Sequence, residues 1–205
     1  MTERLRVGVL ASGAGTNLQA MLDTVHGQEA EVVAVASDKP DARALERAQA
    51  RGVPTRVFAR DEYADRGARD AAIADWLTGQ GVRLVVLAGY MQLLSPAFLA
   101  RFPDAVINVH PALLPAFPGI APIKDAVDYG VKVFGVTVHF VDDGVDSGPV
   151  ILQAALEIPR AADAEAVHDA LRPLEHRLLP EAVRLFAAGA LRRDPENPRR
   201  VLIGF

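Results

Sequence analysis

The residues best suited to chemistry lie in the segment Ile107-Asn108-Val109-His110-Pro111. On a strand, Asn108 and His110 would point to the same face, because side chains alternate with a period of two. A carboxamide N–H group can stabilise a developing oxyanion, and an imidazole can donate or accept a proton near neutral pH. The pair therefore suits a reaction at a carbonyl carbon, although a buried polar pair that satisfies the following loop would show the same pattern.

A second polar segment, DDGVDSGP at residues 142–149, carries three carboxylates between two predicted strands. Its glycines permit backbone angles that other residues avoid, so that a carboxylate can be turned toward His110. An Asp that binds a His raises the basicity of the imidazole and fixes its orientation. A divalent-metal site and a solvated turn would also suit three acids, but their spacing is not that of a calcium loop. His139, on the preceding strand, is interpreted as a structural residue.

A glycine-rich segment, ASGAGTN at residues 11–17, joins the first predicted strand to the first predicted helix. The N–H groups and the positive dipole end of a helix N-terminus attract anions. Because Leu18 occupies the third glycine position of a dinucleotide motif, and the Gly-Lys-Ser/Thr ending of a Walker motif is missing, the segment predicts a monophosphate site. A tight turn without a ligand would have the same sequence features.

The elements that must position these segments alternate along the first half of the chain. The sequence predicts strands at 5–10, 32–36, 53–58, 84–89 and 106–109, separated by helices at 17–25, 42–51, 61–78 and 96–102. The run at 84–89 is uniformly apolar, as expected of a central parallel strand. The alternation predicts an α/β fold with a doubly wound, mostly parallel, Rossmann-like sheet, in which ligands bind at the carboxyl ends of the strands.

The pattern changes after a proline-rich loop at 111–118. Two further strands, at 135–141 and 150–153, predict an antiparallel extension near the C-terminus. A long helix is predicted over 164–188, with a kink or an interruption at Pro173. Residues 201–203 predict a short edge strand.

Composition limits the class of protein. Half of the 205 residues are hydrophobic, so the chain can bury a sizeable core, and a formal net charge of −4 argues against nucleic acid as a partner. The lack of cysteine excludes disulfides, thiolate metal sites and a Cys nucleophile. The N-terminal apolar run is too short for a signal peptide, and no run has membrane-spanning length, which predicts a soluble cytoplasmic protein. The sequence allows a homodimer without requiring one.

Taken together, the segments resemble the glycinamide ribonucleotide formyltransferases, a folate-dependent family of purine synthesis. The matching stretches, in chain order, are SGAGTNLQA at 12–20, VLAGYM at 86–91, SPAF at 95–98, NVHPALLP at 108–115, FPG at 117–119, GVKV at 130–133, TVHFVD at 137–142 and GVDSGPV at 144–150. The resemblance spans nearly the whole chain.

The resemblance implies transfer of the formyl group of 10-formyltetrahydrofolate to the amine of N1-(5-phospho-D-ribosyl)glycinamide, between small-molecule substrates and without a metal. It implies a single domain over 1–205, with a phosphate-binding half at about 1–105 and a catalytic and folate-binding half at about 106–205. The implied catalytic residues are Asn108, His110 and Asp146. Gly15, Thr16 and Asn17 would hold the substrate phosphate, and Glu175 the ribose region. The implied folate-binding residues are Arg66, Met91, Gln92, Leu93, Leu94, Asn108, Asp142, Asp143, Gly144, Val145 and Asp146, with Arg69 a competitor for the role of Arg66.

One departure concerns the end of the proline-rich loop. Family members usually carry a histidine shortly after the Pro-Gly of this loop, but here the chain reads GIAPIK at 119–124, with Ala121 near the expected position. The Ala-Pro-Ile variant is similar to methionyl-tRNA formyltransferases, which usually add a long basic C-terminal domain. The resemblance also allows a 10-formyltetrahydrofolate hydrolase, whose acceptor is water. A non-enzymatic nucleotide-binding module would explain the glycine-rich segment, but not the joint presence of Asn108, His110 and Asp146.

Overall fold

The structure, a computed structural model, describes residues 3–204. The chain forms two compact units, called here unit 1, which ends at Asn108, and unit 2, which begins at Val109. Among the described residues, no helix combines the length and the apolar character that crossing a membrane requires.

Unit 1 contains parallel strands built from short apolar runs. They are β1 (Leu5–Leu10), β2 (Ala30–Ser37), β3 (Thr55–Val57), β4 (Leu84–Leu87) and the beginning of β5 (Val106–His110). β1 pairs with β2 and β4, β2 also pairs with β3, and β4 pairs with β5, all in parallel. Val9 and Val86 are fully buried, as expected when both faces of a parallel sheet are covered.

Two of the four helices of unit 1 begin at a side-chain cap. The helices are α1 (Thr16–Thr24), α2 (Arg43–Gln49), α3 (Arg66–Gly79) and α4 (Pro96–Arg101). Asp65 accepts a hydrogen bond from the Ala68 N–H at 2.8 Å, which starts α3 five residues later than predicted, and Arg60–Glu62 form a separate 3-10 turn. Ser95 caps α4 as predicted, by accepting from the Phe98 N–H.

Unit 2 is built around an antiparallel strand pair. Its elements are the end of β5, α5 (Pro122–Tyr129), β6 (Val133–Phe140), β7 (Val150–Glu157), α6 (Ala164–Ala187), β8 (Leu191–Arg193) and β9 (Val201–Ile203). β6 pairs with β7, and β8 pairs with β9, both antiparallel. The sequence patterns missed α5 and β8. Pro122 in the first turn and Gly130 in the left-handed C-cap position delimit α5.

Helix α6 runs without interruption through Pro173 and Pro180, so the interruption considered at Pro173 is absent. A proline removes one backbone hydrogen bond. The buried face of α6, which includes Leu171, Leu179 and Val183, continues across both prolines and supplies packing energy that the local sequence does not report.

The sheet order confirms the predicted fold class. Seven strands follow one another in the order β3-β2-β1-β4-β5-β6-β7, and β8 and β9 form a separate pair. Strand β1 has β2 on one side and β4 on the other, as in a doubly wound sheet. The predicted antiparallel extension corresponds to β6 and β7, and the edge strand predicted at 201–203 corresponds to β9. Phe205, the last residue of the tail, lies outside the described residues.

Candidate active site

His110 ends strand β5 and is only 4% exposed. Its Nε2 lies 2.9 Å from the carbonyl oxygen of Phe117. Because a carbonyl oxygen can only accept, this contact requires the imidazole to carry a proton on Nε2. The same contact fixes the ring and leaves Nδ1 directed elsewhere.

The loop that supplies the Phe117 carbonyl is anchored on β6 and β7. The Thr137 hydroxyl donates to the Ala112 carbonyl at 2.7 Å and accepts from the Leu114 N–H at 3.1 Å. The Gln153 amide donates to the Leu114 carbonyl at 2.9 Å. These buried bonds hold the first residues after His110, so the position of the ring depends on two neighbouring strands.

Asp146 lies in the segment between β6 and β7 and turns its carboxylate to His110. Its Oδ2 is 3.4 Å from His110 Nδ1 and accepts the Gly119 N–H at 2.8 Å. The backbone of Asp146 has φ 48°, in the left-handed region that non-glycine residues rarely adopt. The structure thus brings together the His and the Asp that the sequence selected in unit 2.

His139 is a third member of this cluster, which the strand pattern did not reveal. Its Nε2 lies 3.6 Å from the second carboxylate oxygen of Asp146, and its Nδ1 lies 2.8 Å from the Phe140 carbonyl oxygen. The ring is buried on an otherwise apolar strand. A buried polar side chain must be paired, and this was the signal in the sequence that could have suggested a partner in the neighbouring acidic segment.

The two imidazoles have the same hydrogen-bonding demand. Each ring faces one backbone carbonyl and one oxygen of Asp146, so each faces two acceptors. A neutral imidazole has only one N–H, whereas an imidazolium has two. The Asp146 carboxylate therefore lies where it would stabilise a positive charge on either ring.

The carboxyl of Asp146 has a lowered pKa. Its partial burial acts in the opposite direction and by itself would raise the pKa. The hydrogen bond with His139, the Gly119 N–H and the charges of His110 and His139 together outweigh burial and lower the pKa of Asp146. Asp146 is consequently a carboxylate at neutral pH and can stabilise positive charge on a neighbouring ring.

Asn108 is the last residue of unit 1 and stands two positions before His110 on β5. It pairs in register with Leu87, the last residue of β4, and is half-buried. Alternation along β5 directs Asn108 and His110 to the same face of the strand. Both side chains therefore occur at the carboxyl end of a parallel strand, where open α/β sheets bind ligands.

The remainder of the acidic segment is organised by Asp142. One oxygen of this carboxylate accepts the Gly144 N–H at 3.1 Å and the Ser147 hydroxyl at 2.6 Å. Asp143, Gly144 and Val145 are exposed. Within residues 3–204, no group of three or more His, Asp or Glu side chains is arranged to hold a metal ion.

The glycine-rich segment forms a tight turn into α1 in unit 1. Gly15 is the N-cap residue, with φ 69°, and a Cβ there would lie 2.7 Å from the Ala44 Cα. Only glycine fits this approach of α2. The N–H groups of Thr16 and Asn17 belong to the first turn of α1, which points such groups out of the N-terminal end of the helix. Arg47 supports the turn by donating to the Ala14 carbonyl at 2.8 Å, a contact that no sequence pattern indicated.

A buried network in unit 1 supports the segment 91–94. The Ser12 hydroxyl accepts the Met91 N–H at 3.0 Å and donates to Asp38 at 2.5 Å. The Gln92 amide donates to the other Asp38 oxygen at 3.0 Å and accepts from Arg69 at 3.2 Å. The Gln92 side chain is thus engaged at both ends, whereas Met91 and Leu93 are exposed and Leu94 is buried. What this segment can offer a ligand is its backbone and its apolar side chains.

The two arginines that compete for a ligand carboxylate have different environments. Arg69 is 2% exposed and pairs at 3.0 Å with Asp70, which is fully buried and also accepts the Ser95 N–H. Arg66, in the first turn of α3, is exposed. Arg69 is therefore committed to the interior, and Arg66 is the one able to reach a solvent-borne anion.

Glu175 lies on α6 and is 4% exposed. One carboxylate oxygen is 3.8 Å from Nε2 of His168, two turns earlier on the same face of α6. A nearly buried carboxylate on a helix is rare unless it is paired or functional.

Comparison with known proteins identifies the family of the chain. Residues 5–183 match the family model described as Formyl transferase. Phosphoribosylglycinamide formyltransferase of Mycobacterium tuberculosis (strain CDC 1551 / Oshkosh) is 41% identical over 203 residues, which cover 97% of this chain and 94% of that protein. The crystal structure of glycinamide ribonucleotide transformylase 1 from Symbiobacterium toebii superimposes with a TM-score of 0.94 at 46% identity, over 99% of this chain and 95% of that one.

The chain also matches part of a much longer protein. Trifunctional purine biosynthetic protein adenosine-3 of Drosophila pseudoobscura pseudoobscura is 41% identical over 197 residues, which are 94% of this chain but only 14% of that protein. The family model covers most of the chain, and the Mycobacterium relative matches it nearly from end to end. The chain belongs to the formyl transferase family and, within it, to the phosphoribosylglycinamide formyltransferases.

Proposed function

We propose that the protein transfers the formyl group of 10-formyltetrahydrofolate to the primary amine of N1-(5-phospho-D-ribosyl)glycinamide, in purine biosynthesis. The products are the N2-formyl ribonucleotide and tetrahydrofolate. The observation that carries the proposal is the contact between His110 and Asp146 within unit 2, which pairs an imidazole that can carry a proton with a carboxylate.

In the proposed reaction the amine nitrogen attacks the formyl carbon and forms a new C–N bond. The carbonyl oxygen becomes an oxyanion, which Asn108 and the protonated ring of His110 stabilise. Collapse of the tetrahedral intermediate breaks the bond to the folate nitrogen, and the proton lost by the amine is passed to that nitrogen. Asp146 holds the His110 ring and its positive charge. Much of the rate enhancement comes from holding two substrates together.

The binding roles follow the two units. We assign the substrate phosphate to the N–H groups of Gly15, Thr16 and Asn17 at the start of α1, and the ribose region to Glu175. The folate ring system is assigned to the backbone of segments 91–94 and 142–146. Its anionic tail is assigned to Arg66, since the burial of Arg69 supports Arg66 in that role.

A direct assay separates this proposal from the hydrolase reaction. Purified protein is mixed with 10-formyltetrahydrofolate, with or without N1-(5-phospho-D-ribosyl)glycinamide, and release of tetrahydrofolate is followed by absorbance. We expect turnover only when the ribonucleotide is present, with formation of its N2-formyl product. Turnover without ribonucleotide would favour a 10-formyltetrahydrofolate hydrolase. Failure to turn over with both substrates would overturn the proposal.

We further propose that the protein acts in the cytoplasm on small molecules, without a metal. The identity of the acceptor substrate needs a separate test, because Ala121, the N-cap residue of α5, lies near the position where family members usually have a histidine. Replacing the ribonucleotide by charged initiator methionyl-tRNA in the same assay provides it, and we expect no formyl transfer to the tRNA.

A further inference from the structure

The C-terminal hairpin, defined as residues 191–203 with strands β8 and β9, lies beyond the segment 5–183 that the family model matches. It nevertheless packs on the segment that carries Asp146, called here the acidic loop (residues 141–149). Both belong to unit 2. The contacts between them suggest that the hairpin contributes to the active site.

The hairpin contacts the residue before the acidic loop, one residue within the loop and the residue after it. The Arg193 guanidinium lies over the ring of Phe140, 5.1 Å from its centroid, at the end of β6. Arg199 donates from Nη1 to the carbonyl oxygen of Ser147 at 2.6 Å. Arg200 forms a parallel backbone bridge with Val150, the first residue of β7. A cation–π contact, a charge-assisted hydrogen bond and a backbone bridge thus act on one short segment.

The connection between β8 and β9 is itself held in shape. Asp194 is buried, its N–H donates to the Arg200 carbonyl at 3.0 Å, and its carboxylate accepts the Glu196 N–H at 2.9 Å. Arg193 donates to the Pro198 carbonyl at 2.7 Å. Arg199 and Arg200 therefore project from a turn that its own hydrogen bonds hold in shape, and this reduces the entropy lost when they bind the acidic loop.

The backbone of the acidic loop adopts an unfavourable conformation at Asp146, which contacts from outside the loop can stabilise. Asp146 adopts a left-handed backbone conformation, which is unfavourable for a residue with a side chain. The adjacent Ser147 is fixed from two sides, through its hydroxyl to Asp142 and through its carbonyl to Arg199. Without the second contact, this conformation depends more heavily on bonds within the loop and on the partners of Asp146 itself.

We propose that the C-terminal hairpin clamps the acidic loop, and that Arg199 is a positioning residue for Asp146. The catalytic consequence rests on the proposed function, but the mechanical role does not. Arg199 does not touch the reacting atoms in this proposal. It acts through the Ser147 carbonyl on the carboxylate that orients His110.

The test compares three full-length variants. Arg199→Ala removes the contact with the Ser147 carbonyl, whereas Arg199→Lys keeps the charge and a donor. Arg192→Ala is the matched control, because Arg192 is exposed and its side chain points to the face of β8 opposite that of Arg193. Amide hydrogen exchange of peptides covering 141–149 and Gly119 is measured for each variant. We expect exchange to rise in Arg199→Ala by about threefold to tenfold, to rise less in Arg199→Lys, and to stay unchanged in Arg192→Ala.

Steady-state kinetics on the same variants provides the functional arm. We expect Arg199→Ala to lower kcat on the order of threefold to tenfold, to leave KM for the ribonucleotide unchanged, and to be partly rescued by lysine. Unchanged exchange in Arg199→Ala, or an equal change in Arg192→Ala, would overturn the clamp. An inactive wild-type protein whose exchange still responds to Arg199→Ala would instead overturn the proposed function and leave the clamp standing.

Discussion

At the level of single residues, the carboxylate of Asp146 accepts the Gly119 N–H and lies between the imidazoles of His110 and His139. Both rings have their other nitrogen on a backbone carbonyl. A carboxylate can serve all three contacts, because both of its oxygens accept hydrogen bonds and it has no donor of its own.

Replacing this carboxylate by an amide should reveal its role. Asp146→Asn keeps the shape but places an N–H₂ group against a donor and removes the negative charge. We expect kcat/KM to fall by at least about 100-fold. Asp143→Asn is the matched control, because Asp143 is exposed on the same loop, and we expect it to cost less than about threefold. Equal losses in the two variants would mean that Asp146 is not the catalytic carboxylate.

The lowered pKa of Asp146 predicts how stability depends on pH. A carboxyl whose folded-state pKa is lowered contributes stability that is fully present above its unfolded pKa, about 4. This contribution is lost as the pH falls through the folded-state pKa. The free energy of unfolding of the wild type minus that of Asp146→Asn should therefore stay constant above about pH 5 and decrease as the pH falls below about 4, as measured by urea denaturation. A difference that is constant or grows on acidification would contradict the assignment.

Substitutions of the two arginines of α3 should affect different properties, folate binding for Arg66 and stability for Arg69. Arg66→Ala should change the free energy of unfolding by less than about 0.5 kcal/mol but raise KM for a polyglutamylated folate. Arg69→Ala leaves the buried Asp70 carboxylate without its cation, which typically costs about 3–5 kcal/mol. Urea denaturation and folate-dependent kinetics on both variants test this, and a stable Arg69→Ala with raised KM would exchange the two roles.

At the level of elements, the turn from the acidic loop into β7 depends on one glycine. A Cβ at Gly148 would lie 1.7 Å from the carbonyl oxygen of Phe140, the same oxygen that binds His139 Nδ1. Gly148→Ala must therefore displace the loop or β6, and with them His139 and Asp146.

We expect Gly148→Ala to lower the free energy of unfolding by about 1–3 kcal/mol and to reduce kcat as well. Gly79→Ala is the control: it lies at the end of α3, a Cβ there meets no atom within 4 Å, and alanine favours helix. Thermal denaturation measures both. A Gly148→Ala variant with wild-type stability and activity would show that the loop can accommodate a Cβ at this position, contrary to the short contact seen in the structure.

The elements themselves were predictable to different degrees. Apolar runs in the sequence predict β1, β4 and β5, because a parallel strand that is buried on both faces consists mainly of apolar residues. Helix α3 starts later than predicted because the polar stretch before it is divided between a 3-10 turn at Arg60–Glu62 and the capping residue Asp65. The continuity of α6 through Pro173 could not be predicted, since the packing of its buried face decides it rather than local propensity.

For the whole molecule, the charge balance bears on the choice of acceptor. A formal net charge of −4 opposes binding of a polyanion, whose affinity rests on many neutralised phosphates. We expect no shift of initiator tRNA in a gel at about 50 mM salt with micromolar protein, under conditions where the ribonucleotide is turned over. A salt-dependent complex with tRNA would favour a methionyl-tRNA formyltransferase. The single-domain organisation over 1–205 and the homodimer stay predictions.

The sequence by itself determined the fold class, the family and the identity of His110 and Asp146 as candidates, because these depend on apolar periodicity and on ordered motifs along the chain. Tertiary structure alone decided that His139 shares the Asp146 carboxylate, that Arg69 is buried while Arg66 is exposed, and that a hairpin beyond the family segment holds the acidic loop. Each of these depends on contacts that form only when the chain is folded. Local propensity contains no information on such contacts, whereas packing and hydrogen-bond satisfaction in the folded chain determine them.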